Sequence, residues 1–192
     1  MQRLTHSMSS LAWVRWWSTP WAFCHNDWKI VDKHLELRER HRSYPIGVGN
    51  IYGITSCLPV KPQPTLLKLA LAPTDQLELA LSLIESTCRR SYMSILDESQ
   101  NQWASRLSKV LPPDMLRHDD DPLQLLRIWV SSETWQRIRL RFPRQRVLDL
   151  EKKAFSLHDS FNRLDTLWQA VAWRIAPFNG DGNAPESKEP GD

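Results

Sequence analysis

Hydrophobic positions in this chain recur mostly at steps of three and four, the period of an α-helix with one buried face. Leu77, Leu81, Ile84 and Cys88 follow Pro73 at steps of four, three and four, and Thr74 is placed to cap the helix they predict. Trp103, Leu107 and Val110 continue the pattern until Pro112 and Pro113 end it. Asp121 then reads as a cap, with Pro122 at the first helical position, Gln124 at the third, and Leu123, Leu126 and Val130 as the buried stripe. The longest pattern runs through Val147, Leu150, Ala154, Leu157, Phe161, Leu164, Trp168, Val171 and Ile175. Its alternating steps form a heptad seam and predict one long amphipathic helix, about 45 Å at about 1.5 Å per residue. The flanking positions Arg146, Glu151, Lys153, His158, Asp165 and Arg174 are only partly charged, which favours packing on the chain's own domain over a coiled-coil dimer.

Elsewhere the pattern weakens. Lys29 to Arg42 has few apolar positions (Ile30, Leu35, Leu37) and reads as a solvated helix. Residues 44–64 collect prolines and glycines and read as a connector. The polar stretch Asn179 to Asp192, after Pro177, reads as a disordered tail. The resulting prediction is a mainly α fold. It has a single helical domain over 1–176 with the connector at about 44–64 inside it, a long C-terminal helix, little or no sheet, and a disordered tail over 177–192. Between Arg137 and Phe142, basic and apolar residues alternate, so a short strand and a helix compete there.

Composition sharpens the picture. Thirteen prolines against six glycines favour short helices with proline stops and disfavour glycine-rich phosphate loops. Five of the ten tryptophans fall within residues 11–28 (Trp13, Trp16, Trp17, Trp21, Trp28), a density that calls for burial, since each indole buries roughly 150–250 Å². The formal charge of +3, from 25 basic and 22 acidic residues, makes a weak overall field, so no obligatory nucleic-acid partner is expected. Cys24, Cys57 and Cys88 are odd in number and lack a CxxC, which fits a reducing cytosol better than a disulfide framework. Arg15 and Pro20 interrupt the apolar residues near the start and no long apolar run follows, so neither an export signal nor membrane insertion is expected.

Candidate chemistry is sparse. Gly47, Gly49 and Gly53 miss the dinucleotide-binding spacing, no G-x-S-x-G occurs, and Asp119 to Asp121 lack the glycine-punctuated setting of a cation loop. Cys24, His25 and Asp27 could be imagined as a metal or acid–base cluster, but adjacent helical residues point in different directions, which favours a structural histidine. No catalytic residue, cofactor or metal ligand is assigned, and the chain reads as a non-enzyme. One charged feature stands out: Arg137, Arg139, Arg141, Arg144 and Arg146 crowd ten residues. They are candidates for contacting a protein partner. The alternatives are a nucleic-acid-binding regulator or a solvated face whose arginine stems cover the core. Charge reversal at Arg141 or Arg144 is expected to weaken a partner contact and leave the fold intact.

Pro20-Trp21-Ala22-Phe23-Cys24-His25 followed by Trp28 resembles the proline-x-x-aromatic-x-histidine signature of the SctK/YscK/OrgA adaptors of type III secretion. In the same order, Gly53 to Gln63 is similar to that family's connector, and Leu125 to Pro143 to its late W…R-L-x-L-R-x-P stretch. The resemblance spans most of Trp16 to Ile175, with Phe23 where the family most often has tyrosine. It implies a non-catalytic adaptor at the cytoplasmic face of a bacterial inner membrane. Such an adaptor links the cytoplasmic domain of an SctD-type ring protein to an SctQ-type pod protein, and through the pod to the SctL stator and SctN ATPase. Pro20, Phe23, His25 and Trp28 are then motif residues with a structural part.

Overall fold

The computed structural model describes residues 2–29, 48–89, 95–112, 115–157 and 161–176. The expected charged helix after Lys29, the flanking position His158 and the expected tail therefore fall wholly or almost wholly outside the described residues. Within them the protein is mainly helical and has no strand, as the periodicity predicts.

Helix α1 (Gln2–Ser18) places Trp13, Trp16 and Trp17 on one face by their i, i+3, i+4 spacing, and all three are buried. Their ring centroids lie 5.2, 5.7 and 6.2 Å apart, so the three indoles form one aromatic wedge. At its end, the Ser18 and Thr19 hydroxyls donate to the carbonyls of Val14 and Arg15, and Pro20 opens a 3-10 turn (Pro20–Phe23). Residues 26–29 add a helical turn that buries Trp28.

The connector holds structure of its own. After α2 (Val48–Ile51), Gly53 turns the chain at φ 65° beside Arg139, whose Nη2 would lie 2.9 Å from a β-carbon at that position. Tyr52 and Ile54 are buried. Residues 54–63 carry no regular element, yet Trp13 Nε1 donates to Val60 O (2.9 Å) and Trp17 Nε1 to Cys57 O (3.2 Å). The indoles satisfy backbone groups that a loop cannot satisfy itself, which straps this segment across the aromatic wedge.

Helices α3 (Pro64–Leu71) and α4 (Thr74–Cys88) follow, separated by Pro73. Helix α4 packs on α5 (Glu98–Ser108), whose start is fixed by a capping box: Asp97 accepts from the Gln100 amide and Gln100 from the Asp97 amide. Next come α6 (Leu123–Trp129), α7 (Ser132–Ile138), a second 3-10 turn (Arg139–Arg141) and α8 (Arg144–Lys152). The last described helix, α9 (Phe161–Arg174), packs against α3, α4 and α6 and buries Leu164, Leu167, Trp168, Val171 and Ala172.

Three expectations need correction, and one open alternative is decided. The seam from Val147 to Ile175 is not one helix, because α8 ends at Lys152, Lys153 is extended (φ −86°, ψ 131°), and the seam position Ala154 is exposed. The physical reason is at Leu150, whose carbonyl would have to accept from the Ala154 amide in a continuous helix. It is taken instead by Gln124 Nε2 (3.1 Å), Arg127 Nη1 (3.2 Å) and the Lys153 amide (3.1 Å). The same bond overturns a capping role for the Gln124 side chain, and Pro122, not Asp121, holds the cap position of α6, although Asp121 does accept from the Leu123 amide (2.8 Å). Thr74 lies inside α4 and not at its cap, since Pro73 holds that position without a side-chain bond. The competition at residues 137–142 resolves as helix and 3-10 turn.

Candidate functional site

The two sequence regions richest in expected function meet in space. The His25 amide donates to Leu140 O (2.7 Å) and Trp28 Nε1 to Phe142 O (2.9 Å), a bond spanning 114 residues. Arg141 extends the junction, donating from Nη1 to Phe23 O and from Nη2 to Ala72 O. Phe23 thus contributes through its carbonyl, for which a tyrosine hydroxyl is not required.

The arginine row does not form a solvated face. Three residues in a helix followed by a tight turn point in different directions, and each guanidinium reaches a separate segment. Arg137 is only 3 % exposed. It donates from Nε to Trp17 O (3.0 Å), from Nη1 to Glu133 O (2.8 Å) and from Nη2 to Thr55 O (3.2 Å), while its plane lies 4.1 Å over the Trp17 ring. Arg139 binds Glu151 (2.8 Å) and Tyr52 O (2.9 Å), and Trp135 Nε1 also donates to Glu151 (2.8 Å). Arg146 pairs in bidentate fashion with Asp121 at 2.7 and 2.8 Å. Arg144 alone of the five is exposed, with its guanidinium 5.7 Å from the Trp28 ring.

The expectation that all five arginines face a partner is therefore corrected. Arg139 and Arg141 hold the fold together, Arg137 does so while keeping an edge on the groove beside Trp17, and Arg144 and the half-buried Arg146 are at the surface. A nucleic-acid backbone would meet no continuous cationic row here. Burial pulls the guanidinium pKa values of Arg137 and Arg141 below the ordinary arginine value, and Cys57 and Glu133 beside Arg137 and Cys24 beside Arg141 offset only part of that desolvation. Both remain cations at neutral pH.

His25 is half-buried, and its Nδ1 accepts from the Asp27 amide (3.3 Å), with the Asp27 carboxylate 3.4 Å away. Cys24 is buried. Among the described residues no group of three or more His, Cys, Asp or Glu side chains converges on a metal position, and no helix is long and apolar enough to cross a membrane.

Periodicity gave no sign of a groove of about 420 Å³ between the first 3-10 turn, α2 and the strapped segment. Trp17, Trp21, Ile54, Pro59, Cys57 and Arg137 are among its lining residues. Trp21 stacks on Tyr52 with centroids 6.2 Å apart and rings 4° from parallel. The only sequence signal for it was the pairing of tryptophans with a proline-rich stretch. Away from the groove, Trp173 is 78 % exposed on α9 under the Lys68 ammonium, and Leu71 is also exposed. No family model, no curated protein and no solved structure matches the chain.

Proposed function

We propose that the chain is a non-catalytic adaptor of a bacterial type III secretion system, joining the cytoplasmic domain of an SctD-type ring protein to an SctQ-type pod protein. The pod would connect it to the SctL stator and SctN ATPase. The observation carrying this reading is that the motif around Pro20, Phe23, His25 and Trp28 and the motif ending in Pro143 make one packed junction. Two short motifs that each carry little information would be expected to occur together, in this order, if their residues depend on one another physically. The junction also leaves outer surfaces free to bind on either side: the groove at Trp21, the exposed Arg144, and the α9 face at Trp173.

Co-expression of the tagged chain with the ring-protein domain and the pod protein of the same bacterium tests the proposal. Recovery of all three in one complex is expected, with each binary complex also forming. If neither purified partner binds, the adaptor reading is wrong.

A further inference from the structure

We propose that the groove between the Pro20–Phe23 turn, α2 and residues 54–59 is a docking site for a partner's peptide segment that carries a carboxylate flanked by an aliphatic or aromatic side chain. Its volume, about 420 Å³, falls in the range that holds a few side chains. The walls are apolar, built from Trp21, Ile54 and Pro59, and Trp21 is held flat by its stack on Tyr52. A rigid aromatic wall offers contact area at little entropic cost.

Charge determines what else the occupant carries. Among the described residues that line the groove, the guanidinium of Arg137 is the only ionic group and none is acidic. Arginine has five N–H donors. Backbone carbonyls take three of them here, and the Cys57 side chain is a further hydrogen-bond partner of the same guanidinium. A single guanidinium charge left with so few donors suits one carboxylate. A phosphate dianion would call for further cations, and the described lining supplies none. The three carbonyl bonds and the Trp17 ring also fix the guanidinium, so binding requires no reordering of it. At the rim, Asn50 and Ser56 are exposed and free for a peptide backbone. The groove is open to solvent on one side, which lets a chain continue beyond it. The inference holds for any partner and does not depend on the secretion-system reading.

The test uses the full chain labelled with nitrogen-15, titrated with acetyl-Phe-Glu-Leu-amide and with the same peptide carrying glutamine. Saturable shifts are expected at the amides of Gly49, Asn50, Ile54 and Ser56 and at the Trp21 indole, with the glutamine peptide weaker by about tenfold or more. Asn50→Glu and Ser56→Glu, at exposed positions whose side chains make no hydrogen bond among the described residues, should abolish those shifts and leave the rest of the spectrum unchanged. Absent shifts, equal binding of both peptides, or binding indifferent to both rim substitutions would each overturn the proposal.

Discussion

Arg141 reaches carbonyls that the chain lays down 69 and 118 residues earlier. Replacing it with alanine strands both acceptors inside the protein, and a hydrogen bond to a charged group is worth about 1.5–3 kcal/mol. Arg141→Ala should therefore lower the unfolding free energy by roughly 2–4 kcal/mol, and Arg141→Lys should not restore it, because an ammonium cannot span two carbonyls as a planar fork does. Arg144→Ala, at an exposed position, should change stability by less than about 0.5 kcal/mol. Urea unfolding of the three variants decides the matter, and equal effects at positions 141 and 144 would contradict the pinning role. Charge reversal at Arg141 is consequently not a clean surface test, whereas reversal at Arg144 is.

The cysteines carry a pH prediction at the same scale. Burial pushes the Cys88 thiol from its ordinary 9.0 up to about 12. Between those values the folded chain holds a proton that the unfolded chain has released, so stability falls as pH rises. That loss approaches about 1.4 kcal/mol per pH unit for this one group. A urea midpoint that falls between about pH 9 and about pH 11 in the wild type, and falls less in Cys88→Ala, is the expected result. In the native protein iodoacetamide should label the exposed Cys57, reaching the buried Cys24 and Cys88 only on unfolding.

At the scale of elements, the break after α8 separates two readings of the same residues. The Ala154 amide makes no hydrogen bond among the described residues, and Lys153 is already extended, the conformation a residue takes before proline. Ala154→Pro should thus cost under about 1 kcal/mol, where an uninterrupted helix would lose about 3 kcal/mol or more. A thermal melt of that variant distinguishes the two. The stripes at Leu77 to Cys88 and Leu123 to Leu126 were legible because periodicity reports which face is buried. The end of α8 was not, because what stops the helix is the approach of Gln124 and Arg127 to one carbonyl from a different helix. The arginines were misread for a related reason. Composition marks them as charged but cannot say that Trp17, Phe23, Tyr52, Thr55 and Ala72 would offer them carbonyls.

For the whole molecule, the N-terminal segment closes the core from the far end of the sequence. Trp13, Trp16, Trp17 and Trp28 belong to the same buried cluster as Leu140, Phe142 and Val147. A chain lacking residues 1–28 should lose its cooperative unfolding transition in tryptophan fluorescence. If a sharp transition persists near the wild-type midpoint, the aromatic wedge is an appendage and not a part of the core. Burial of the tryptophans followed from their density alone. The strap over them did not, since residues 54–63 carry no periodicity and are held by indole N–H groups acting on main-chain carbonyls.

That closure has a consequence in time. During synthesis the indoles of α1 leave the ribosome well before Arg137, which lies 120 residues after Trp17 and clasps its carbonyl. At translation rates of about 5–20 residues per second the wait lasts roughly 6–24 s, long compared with the microseconds in which a nascent helix forms and hydrophobic side chains find one another. Throughout that interval Trp17 stands without the guanidinium that closes over its ring, so the newborn chain should depend on a holding chaperone far more than the finished protein does.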